Sequence, residues 1–188
     1  ARILQSLLIH LRLFSRIVIL DWVCYNQRGF LLLTVKGSED LFMTLAKIVY
    51  ASMTGNTEEI ADIVAEALEN LAIEVDINEC TQVDADEFEE ADICIVATYT
   101  YGDGELPDEI VDFYEDLQEL DLSGKTFGVC GSGDTFYDDF CKSVDDFEAA
   151  FAKTGAIKGA ESVKVDLAAE EEDIQNLEDF AKKIVASL

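Results

Sequence analysis

From residue 43 onward, short apolar runs alternate with longer segments that have a helical repeat. Residues 45–51, LAKIVYA, form an apolar run with β-branched residues, and residues 91–100 and 125–133 have the composition of buried strands. The first helical segment carries one apolar face, made by Ile60, Ile63, Val64, Ala67, Leu68 and Leu71. Because this is the i, i+3, i+4 spacing, the pattern predicts an amphipathic helix after the first strand.

The same alternation continues to the end of the chain. Two further strands are predicted at residues 73–79 and 161–167, and three further helices at 108–120, 139–155 and 170–188. Pro107 suits the first turn of a helix, and Gly155 suits a helix end. Five strands and four helices thus alternate along the chain, apart from residues 80–90, where no helix is predicted. The pattern predicts an α/β domain with a five-stranded parallel sheet, helices on both faces and ligands at the carboxyl ends of the strands.

Charge separates the 188 residues into two parts. Residues 1–42 have five basic and three acidic side chains, a net charge of +2. Residues 43–188 have eight lysines, no arginine and 37 acidic side chains, a net charge of −29. Such a surface repels nucleic acid and other acidic molecules, and it favours docking onto basic proteins. The sequence therefore predicts a monomer that meets basic partners and does not bind nucleic acid.

Residues 1–42 are apolar and basic, and several interpretations of them stay open. Arg12, Arg16, Asp21 and Arg28 interrupt the apolar stretch, so no charge-free run reaches the roughly 20 residues of a membrane span. A secretory signal is not clear either. A surface amphipathic anchor is one interpretation. We favour a non-native or misassigned extension, because Met43 comes directly before the first strand, and we expect residues 43–188 to form the domain.

The cysteines and the histidine limit the metal, disulfide and hydrolytic chemistry that the sequence predicts. The five cysteines contain no C-x-x-C pair, which favours reduced, buried thiols in a cytoplasmic protein over disulfides or zinc; they are Cys24, Cys80, Cys94, Cys130 and Cys141. The one histidine, His10, lies outside the acidic part. The acidic part therefore has no Ser-His type of hydrolytic site.

A polar hexapeptide connects the first strand to the first helix. Its sequence is SMTGNT, comprising Ser52, Met53, Thr54, Gly55, Asn56 and Thr57. Hydroxyls, backbone amides and a helix N-terminus together form an anion site, and glycine lets the backbone turn closely around the ligand. A simpler interpretation is a turn in which Thr57 caps the helix. Neither a Walker loop nor G-x-G-x-x-G is present, so the hexapeptide predicts a site for one terminal phosphate.

Three loops in the same order resemble the ligand loops of flavodoxins. They are SMTGNT after the first strand, TYTYGDGELPDE after the third and GSGDTFYDDFC after the fourth. The resemblance covers residues 43–188, and the absence of a long insertion in the fifth strand is typical of the short-chain type. It implies strand order 2-1-3-4-5 with flavin mononucleotide (FMN) at the switch point, since flavodoxin is itself a standard example of that rule.

The resemblance also implies roles for individual residues. The hexapeptide would hold the FMN phosphate, and Tyr101 and Tyr137 would lie against the two faces of the flavin ring. Many flavodoxins have tryptophan in place of Tyr101. Gly102 would turn its carbonyl toward flavin N5 when the ring takes up one electron. The other residues that the resemblance places at the cofactor are Thr98, Tyr99, Thr100, Asp103, Ser132, Gly133 and Asp134.

The expected function is therefore that of a low-potential, single-electron carrier that serves cytoplasmic reductases and oxidoreductases, without a substrate site or metal of its own. Carboxylates around the flavin oppose negative charge on the reduced ring and so lower its potential. Five acidic residues are expected to form a docking rim: Asp103, Glu105, Asp108, Asp138 and Asp139. Two alternatives stay open, a flavin enzyme of the same fold, such as a quinone reductase or ribonucleotide reductase activator, and a phosphoacceptor signalling domain.

Overall fold

The computed structural model describes residues 11–13, 16–18 and 44–188 of the chain. Two units, residues 1–42 and 43–188, are distinguished. In the first unit, the short strands Leu11–Leu13 and Arg16–Val18 pair antiparallel. The expectation of an anchor or a misassigned extension concerns residues 1–42, most of which lie outside the described ones. None of the helices in the described part of the chain has the length and apolar character needed to cross a membrane.

The second unit is built around one parallel sheet. Its strands are β1 (Leu45–Tyr50), β2 (Glu74–Glu79), β3 (Ile93–Tyr99), β4 (Thr126–Gly133), β5 (Ile157–Lys158) and β6 (Val163–Asp166). Their order is β2-β1-β3-β4, and both β5 and β6 pair with β4. The predicted order 2-1-3-4-5 is confirmed. The fifth position is divided between β5 and β6, which four residues separate, so the long insertion of larger family members is absent here.

Helices cover both faces of this sheet, as predicted. They are α1 (Asn56–Asn70), α2 (Val111–Leu117), α3 (Lys142–Lys153) and α4 (Glu171–Ala186). Alternate strand residues point to opposite faces, so Ile48 packs in the layer with α1 and α4, and Val49 in the layer with α2 and α3. Because both faces are buried, the central strands are nearly continuous apolar runs, which is why the sequence pattern revealed them.

Two segments between strands differ from the predicted pattern. The α2 segment begins as a 3-10 turn, Asp108–Ile110, and ends at Leu117 rather than residue 120. Bonds to carbonyls three residues back tighten the following turn and end the α-helical pattern. Between β2 and β3, where no helix is predicted, a 3-10 helix, Ala85–Glu90, forms and buries Phe88.

One charged side chain lies inside the first strand. Lys47 is buried on β1, and its Nζ bonds to Asp76 of β2 at 3.0 Å and to Glu87 of the 3-10 helix. Burial by itself would lower the pKa of Lys47, but its hydrogen bonds to Glu87 and Asp76 outweigh burial and the pKa is raised. The lysine therefore stays charged and joins β1, β2 and the 3-10 helix that connects β2 to β3.

Candidate functional site

Three polar loops meet at the carboxyl edge of the sheet. They follow β1, β3 and β4, which are neighbours in the sheet and run in the same direction. Three contacts join them: the Thr57 and Ser132 hydroxyls are 2.8 Å apart, the Thr100 amide donates to the Ser132 carbonyl at 3.2 Å, and Gly104 lies against the Asp139 side chain. The predicted site residues, distant in sequence, are thus brought together at one edge.

The loop after β1 forms a helix N-terminus that faces solvent. Gly55 is the N-cap of α1 with φ +92°, and its amide donates to Ser52 Oγ at 3.1 Å. Met53 and Thr54 are exposed, and Asn56 is half-buried. The first amides of an α-helix have no partner within the helix, so this end presents N–H groups and the positive end of the helix dipole. The geometry fits an anion.

Thr57 does not cap the helix, because Gly55 occupies that position. It is only 1% exposed, and its hydroxyl pairs with Ser132 Oγ at the end of β4. Each hydroxyl combines one donor with two acceptor positions, so both keep hydrogen-bonding capacity after this contact. The pair therefore positions the first loop relative to β4 and leaves further capacity for a ligand.

The loop after β3 is a tight turn closed by two backbone bonds. The amides of Tyr101 and Glu105 each donate to the other's carbonyl at 2.9 Å. Gly102 and Gly104 have φ of +52° and +98°, values that residues with a Cβ rarely adopt. Tyr101 is 55% exposed at the start of this turn, and Asp103 is exposed within it.

The three residues before Tyr101 direct their hydroxyls at protein partners. Thr98 is fully buried and donates to the Tyr99 carbonyl at 3.3 Å. Tyr99 donates to Glu109 Oε1 at 2.9 Å, and burial together with this bond raises the pKa of Tyr99. Thr100 Oγ1 accepts from the Ser143 amide in the first turn of α3. These side chains therefore shape the turn, and the three residues have mainly their backbone groups available to a ligand.

The loop after β4 is held in a defined shape by carboxylates. Asp134 Oδ1 accepts from the Phe136 amide at 2.8 Å, and the Asp134 carbonyl accepts from the Tyr137 amide at 3.1 Å. Tyr137 is 43% exposed. Gly133 permits close packing, because a Cβ there would lie 2.8 Å from Cys141 Sγ. The loop thus presents Tyr137 at the same edge as Tyr101.

Sequence reasoning missed the contribution of the last strand. Asp166, at the end of β6, accepts from the Thr135 amide at 3.1 Å and from Thr135 Oγ1 at 2.7 Å. The next residue, Leu167, donates its amide to the Gly133 carbonyl at 2.7 Å. The position of Asp166 at a carboxyl end was the available signal, since all parallel strands end at the same edge.

The three loops at this edge carry acidic side chains and no basic ones. Residues 48–124 and 126–141 contain no lysine or arginine. All five expected rim residues are exposed, namely Asp103, Glu105, Asp108, Asp138 and Asp139. A ligand phosphate here must be held by neutral donors and a helix dipole rather than by cations.

The described thiols are not suited to nucleophilic or metal chemistry. Cys80, Cys94, Cys130 and Cys141 are buried and free, and burial raises the pKa of each thiol to about 12. They stay protonated at neutral pH, whereas the thiolate is the reactive form. Within residues 44–188 and the two short strands, no three acidic, histidine or cysteine side chains cluster as a metal site would require.

Comparison with known proteins agrees with this arrangement. Residues 48–180 match the family model described as flavodoxin. Probable flavodoxin 2 of Bacillus subtilis (strain 168) is 44% identical over 142 residues, which cover 74% of this chain and 94% of that protein. The solved flavodoxin of Streptococcus pneumoniae TIGR4 is 69% identical with a TM-score of 0.76, covering 77% of this chain and 100% of that one. A short-chain flavodoxin associated with a bacterial microcompartment is 51% identical with a TM-score of 0.76, covering 77% and 98%.

The doubly wound sheet and its three carboxyl-edge loops therefore define a flavin-binding electron carrier. The chain belongs to the flavodoxin family and has the short-chain form. Its cofactor is FMN, and it transfers electrons without a substrate site of its own; neither a flavin enzyme nor a signalling domain is favoured. A sulfite reductase flavoprotein among the relatives links flavodoxin-like domains to reductases.

Proposed function

We propose that this protein binds FMN across the three carboxyl-edge loops and carries single electrons between cytoplasmic reductases and oxidoreductases with basic surfaces. The observation that supports this most directly is the convergence of the Gly55 helix N-terminus with two half-exposed tyrosines on one edge of the sheet. Such an edge fits a ligand that has a phosphate at one end and an aromatic ring at the other. When bound, FMN supplies the one-electron redox chemistry, and the protein positions it.

The phosphate is assigned to the loop after β1. Ser52, Thr54, Asn56 and Thr57 offer neutral donors, and the amides of the first turn of α1 point to the same place. Met53 and Gly55 complete the loop. Residues 48–124 contain no lysine or arginine. Electrostatic attraction to basic side chains of this segment therefore does not hold the phosphate. Recognition must therefore depend on hydrogen-bond geometry, which favours a defined terminal phosphate.

The flavin ring is assigned to the space between Tyr101 and Tyr137. Both side chains are partly exposed and stand on loops that touch through Gly104 and Asp139. Aromatic faces on either side exclude water and contribute about 1 kcal/mol beyond burial. Backbone groups of the same two loops border this space; they belong to Thr98, Tyr99, Thr100, Gly102, Asp103, Ser132, Gly133 and Asp134.

The acidic side chains around the flavin site affect both the reduction potential of the flavin and the choice of protein partners. Asp103 and Asp138 are exposed in the two ring loops, so a negative charge on the reduced ring is opposed by neighbouring carboxylates. The rim defined above presents the same charge outward, which attracts basic proteins and repels nucleic acid and further copies of this chain. Four free, buried thiols support a reducing, cytoplasmic setting, and a monomer is consistent with the net charge.

An absorption spectrum with a reductive titration tests the proposal. The purified protein, reconstituted with FMN, should show flavin bands and be reduced in two separate one-electron steps. It should then pass electrons to a basic acceptor at a rate that falls with salt. Failure to retain FMN, or direct turnover of a small substrate such as a quinone at enzyme-like rates, would contradict the carrier function.

Gly102→Val tests the turn beside the flavin. A Cβ at Gly102 would meet no atom within 4 Å, so the cost of valine comes mainly from φ of +52°, which is unfavourable for a β-branched residue. We expect the variant to keep oxidised FMN and to lose the carbonyl bond that the family resemblance assigns to the reduced ring. A bond worth about 1 kcal/mol corresponds to about 40 mV for one electron. The reduction potential of the first one-electron step should therefore fall by about that amount. A potentiometric titration measures it, with Gly102→Ala as the smaller change; an unchanged first potential would remove this role from Gly102.

Deleting residues 1–42 tests the domain boundary. All six strands of the parallel sheet and all three ligand loops lie after residue 43. We expect a chain that starts at Met43 to bind FMN with the affinity of the full chain and to melt within a few degrees of it. Fluorescence titration and thermal unfolding measure both quantities. A tenfold loss of affinity would show that the first 42 residues belong to the functional domain.

A further inference from the structure

Phe136 is the most exposed large apolar side chain of the described residues. It is 85% exposed, compared with 43% for the neighbouring Tyr137. The two rings meet edge to face, with centroids 5.4 Å apart and planes at 86°. Tyr137 thus keeps a face for the flavin, whereas most of the Phe136 ring projects into solvent. Moving a phenyl ring from water into an apolar recess is favourable, so a partner that covers Phe136 would gain binding free energy.

The backbone presents this ring in a fixed position. The Phe136 amide is held by the Asp134 carboxylate, and the preceding residue, Thr135, is held twice by Asp166. The Tyr137 amide bonds back to the Asp134 carbonyl. Because the loop is already ordered, covering the ring would cost little backbone entropy, which favours binding.

The charges around Phe136 decide what can cover it. Asp138 and Asp139 are exposed directly after it, and the contact between Asp139 and Gly104 places the turn containing Asp103 beside them. The segments 48–124 and 126–141, which contribute the three loops, have no basic residue, and Lys142, the first residue of α3, pairs with Asp146. A second copy would bring the same acidic face, on a unit with net charge −29, and like charges oppose that contact. A basic surface is complementary.

We propose that Phe136 is an apolar anchor for electron-transfer partners: it enters an apolar recess beside the partner's exposed redox centre, while lysines and arginines around that recess meet the acidic rim. This inference rests on the carrier function proposed above and adds a residue that specifies the partner. Charge governs the rate of encounter, and a buried aromatic ring governs how long the complex lasts. The recess must lie close to the redox centre, because Tyr137, next to the anchor, borders the flavin site.

The two contributions can be separated with two basic probes. The first is mitochondrial cytochrome c, a lysine-rich haem protein with an apolar haem edge at its surface; the second is poly-L-lysine, which has charge and no recess. Each is titrated into the oxidised, FMN-loaded, ¹⁵N-labelled protein at low and high salt, and chemical shifts give the affinity. The variants are Phe136→Ala, Phe136→Leu and Asp138→Asn with Asp139→Asn. Ile157→Ala, at the opposite edge, is the matched control because Ile157 is also an exposed apolar residue.

We expect Phe136→Ala to weaken cytochrome c binding at least about tenfold at both salt concentrations and to leave poly-L-lysine binding unchanged. Phe136→Leu should retain most of the affinity, and Ile157→Ala all of it. The double asparagine variant should weaken both probes at low salt only. FMN affinity, measured by flavin fluorescence, should be the same in Phe136→Ala, Phe136→Leu and Ile157→Ala as in the unmodified protein.

Several results would overturn the proposal. Equal cytochrome c affinity of Phe136→Ala and the unmodified protein would remove the anchor role. If Phe136→Ala weakened the binding of poly-L-lysine as much as that of cytochrome c, the effect would be electrostatic or conformational. Weaker FMN binding would mean that the ring covers the cofactor, and a change in sedimentation would identify a second copy as the occupant. The carrier function fails separately, if the unmodified holoprotein cannot reduce cytochrome c at all.

Discussion

Gly131→Ala is expected to destabilise the protein by about 3 kcal/mol and to weaken FMN binding at the same time. A Cβ at Gly131 would lie 1.9 Å from the Thr98 carbonyl oxygen and 2.8 Å from Val144 Cγ2. The first contact is with the backbone of the adjacent strand β3, and the second with α3, so β4 cannot move away from one without meeting the other. Urea unfolding of the FMN-free protein, followed by circular dichroism, measures the loss.

Gly124→Ala is the matched control. Gly124 lies in the turn before β4 with φ +87°, and a Cβ there would meet nothing within 4 Å. Its cost comes from the left-handed backbone alone and should be about 1 kcal/mol, with FMN affinity unchanged. If the two variants unfolded at the same urea concentration, close packing between β3 and β4 would not explain the requirement for glycine at 131.

Thr54→Ala combined with Thr57→Ala is expected to weaken FMN binding about a hundredfold and riboflavin binding far less. The estimate assumes two hydrogen bonds to a charged phosphate at about 1.5 kcal/mol each. Riboflavin has no phosphate, so it lacks the group that these hydroxyls would bind. Quenching of flavin fluorescence gives both dissociation constants on the folded, FMN-free protein.

The two threonine substitutions should differ in their effect on the stability of the protein. Thr54 is exposed, whereas Thr57 is buried against Ser132, so only Thr57→Ala should also lower the free energy of unfolding, by about 1 kcal/mol. Thr57→Ser keeps the hydroxyl and should preserve most of the affinity. Ser123→Ala removes an exposed hydroxyl before β4 and should change neither quantity. Equal weakening of FMN and riboflavin would show that the hexapeptide is only a turn.

The strands of the fold were predictable because their residues are buried on both faces. Apolar runs at residues 45–51, 91–100 and 125–133 correspond to β1, β3 and β4 with end positions that differ by at most two residues. The length of α2 was not predictable. Its residues have a helical pattern to residue 120, but bonds of the 3-10 type end the helix at Leu117. Local pattern specifies that a helix forms more reliably than where it ends.

The position of the site was predictable in the same way, and the roles of some of its residues were not. Polar loops after parallel strands must share an edge, which placed Ser52, Tyr101 and Tyr137 together. The sequence offered no reason for Tyr99 to bond Glu109 or for Thr57 to pair with Ser132 rather than cap a helix. Those partners are 10 and 75 positions apart in the chain, and hydrogen-bond partners at such distances depend on the packed geometry.

By itself, the sequence determined the succession of strands and helices, the acidic character of residues 43–188, and three polar loops, one suited to a phosphate, that resemble the ligand loops of flavodoxins. These properties follow from the residue types along the chain, since apolar periodicity, charge and turn chemistry are read from neighbouring residues. Only the tertiary structure decided that Lys47 is buried between Asp76 and Glu87, and that Phe136 projects from an ordered loop. Each depends on which residues from distant segments surround a side chain, and that is set by how the sheet and helices pack.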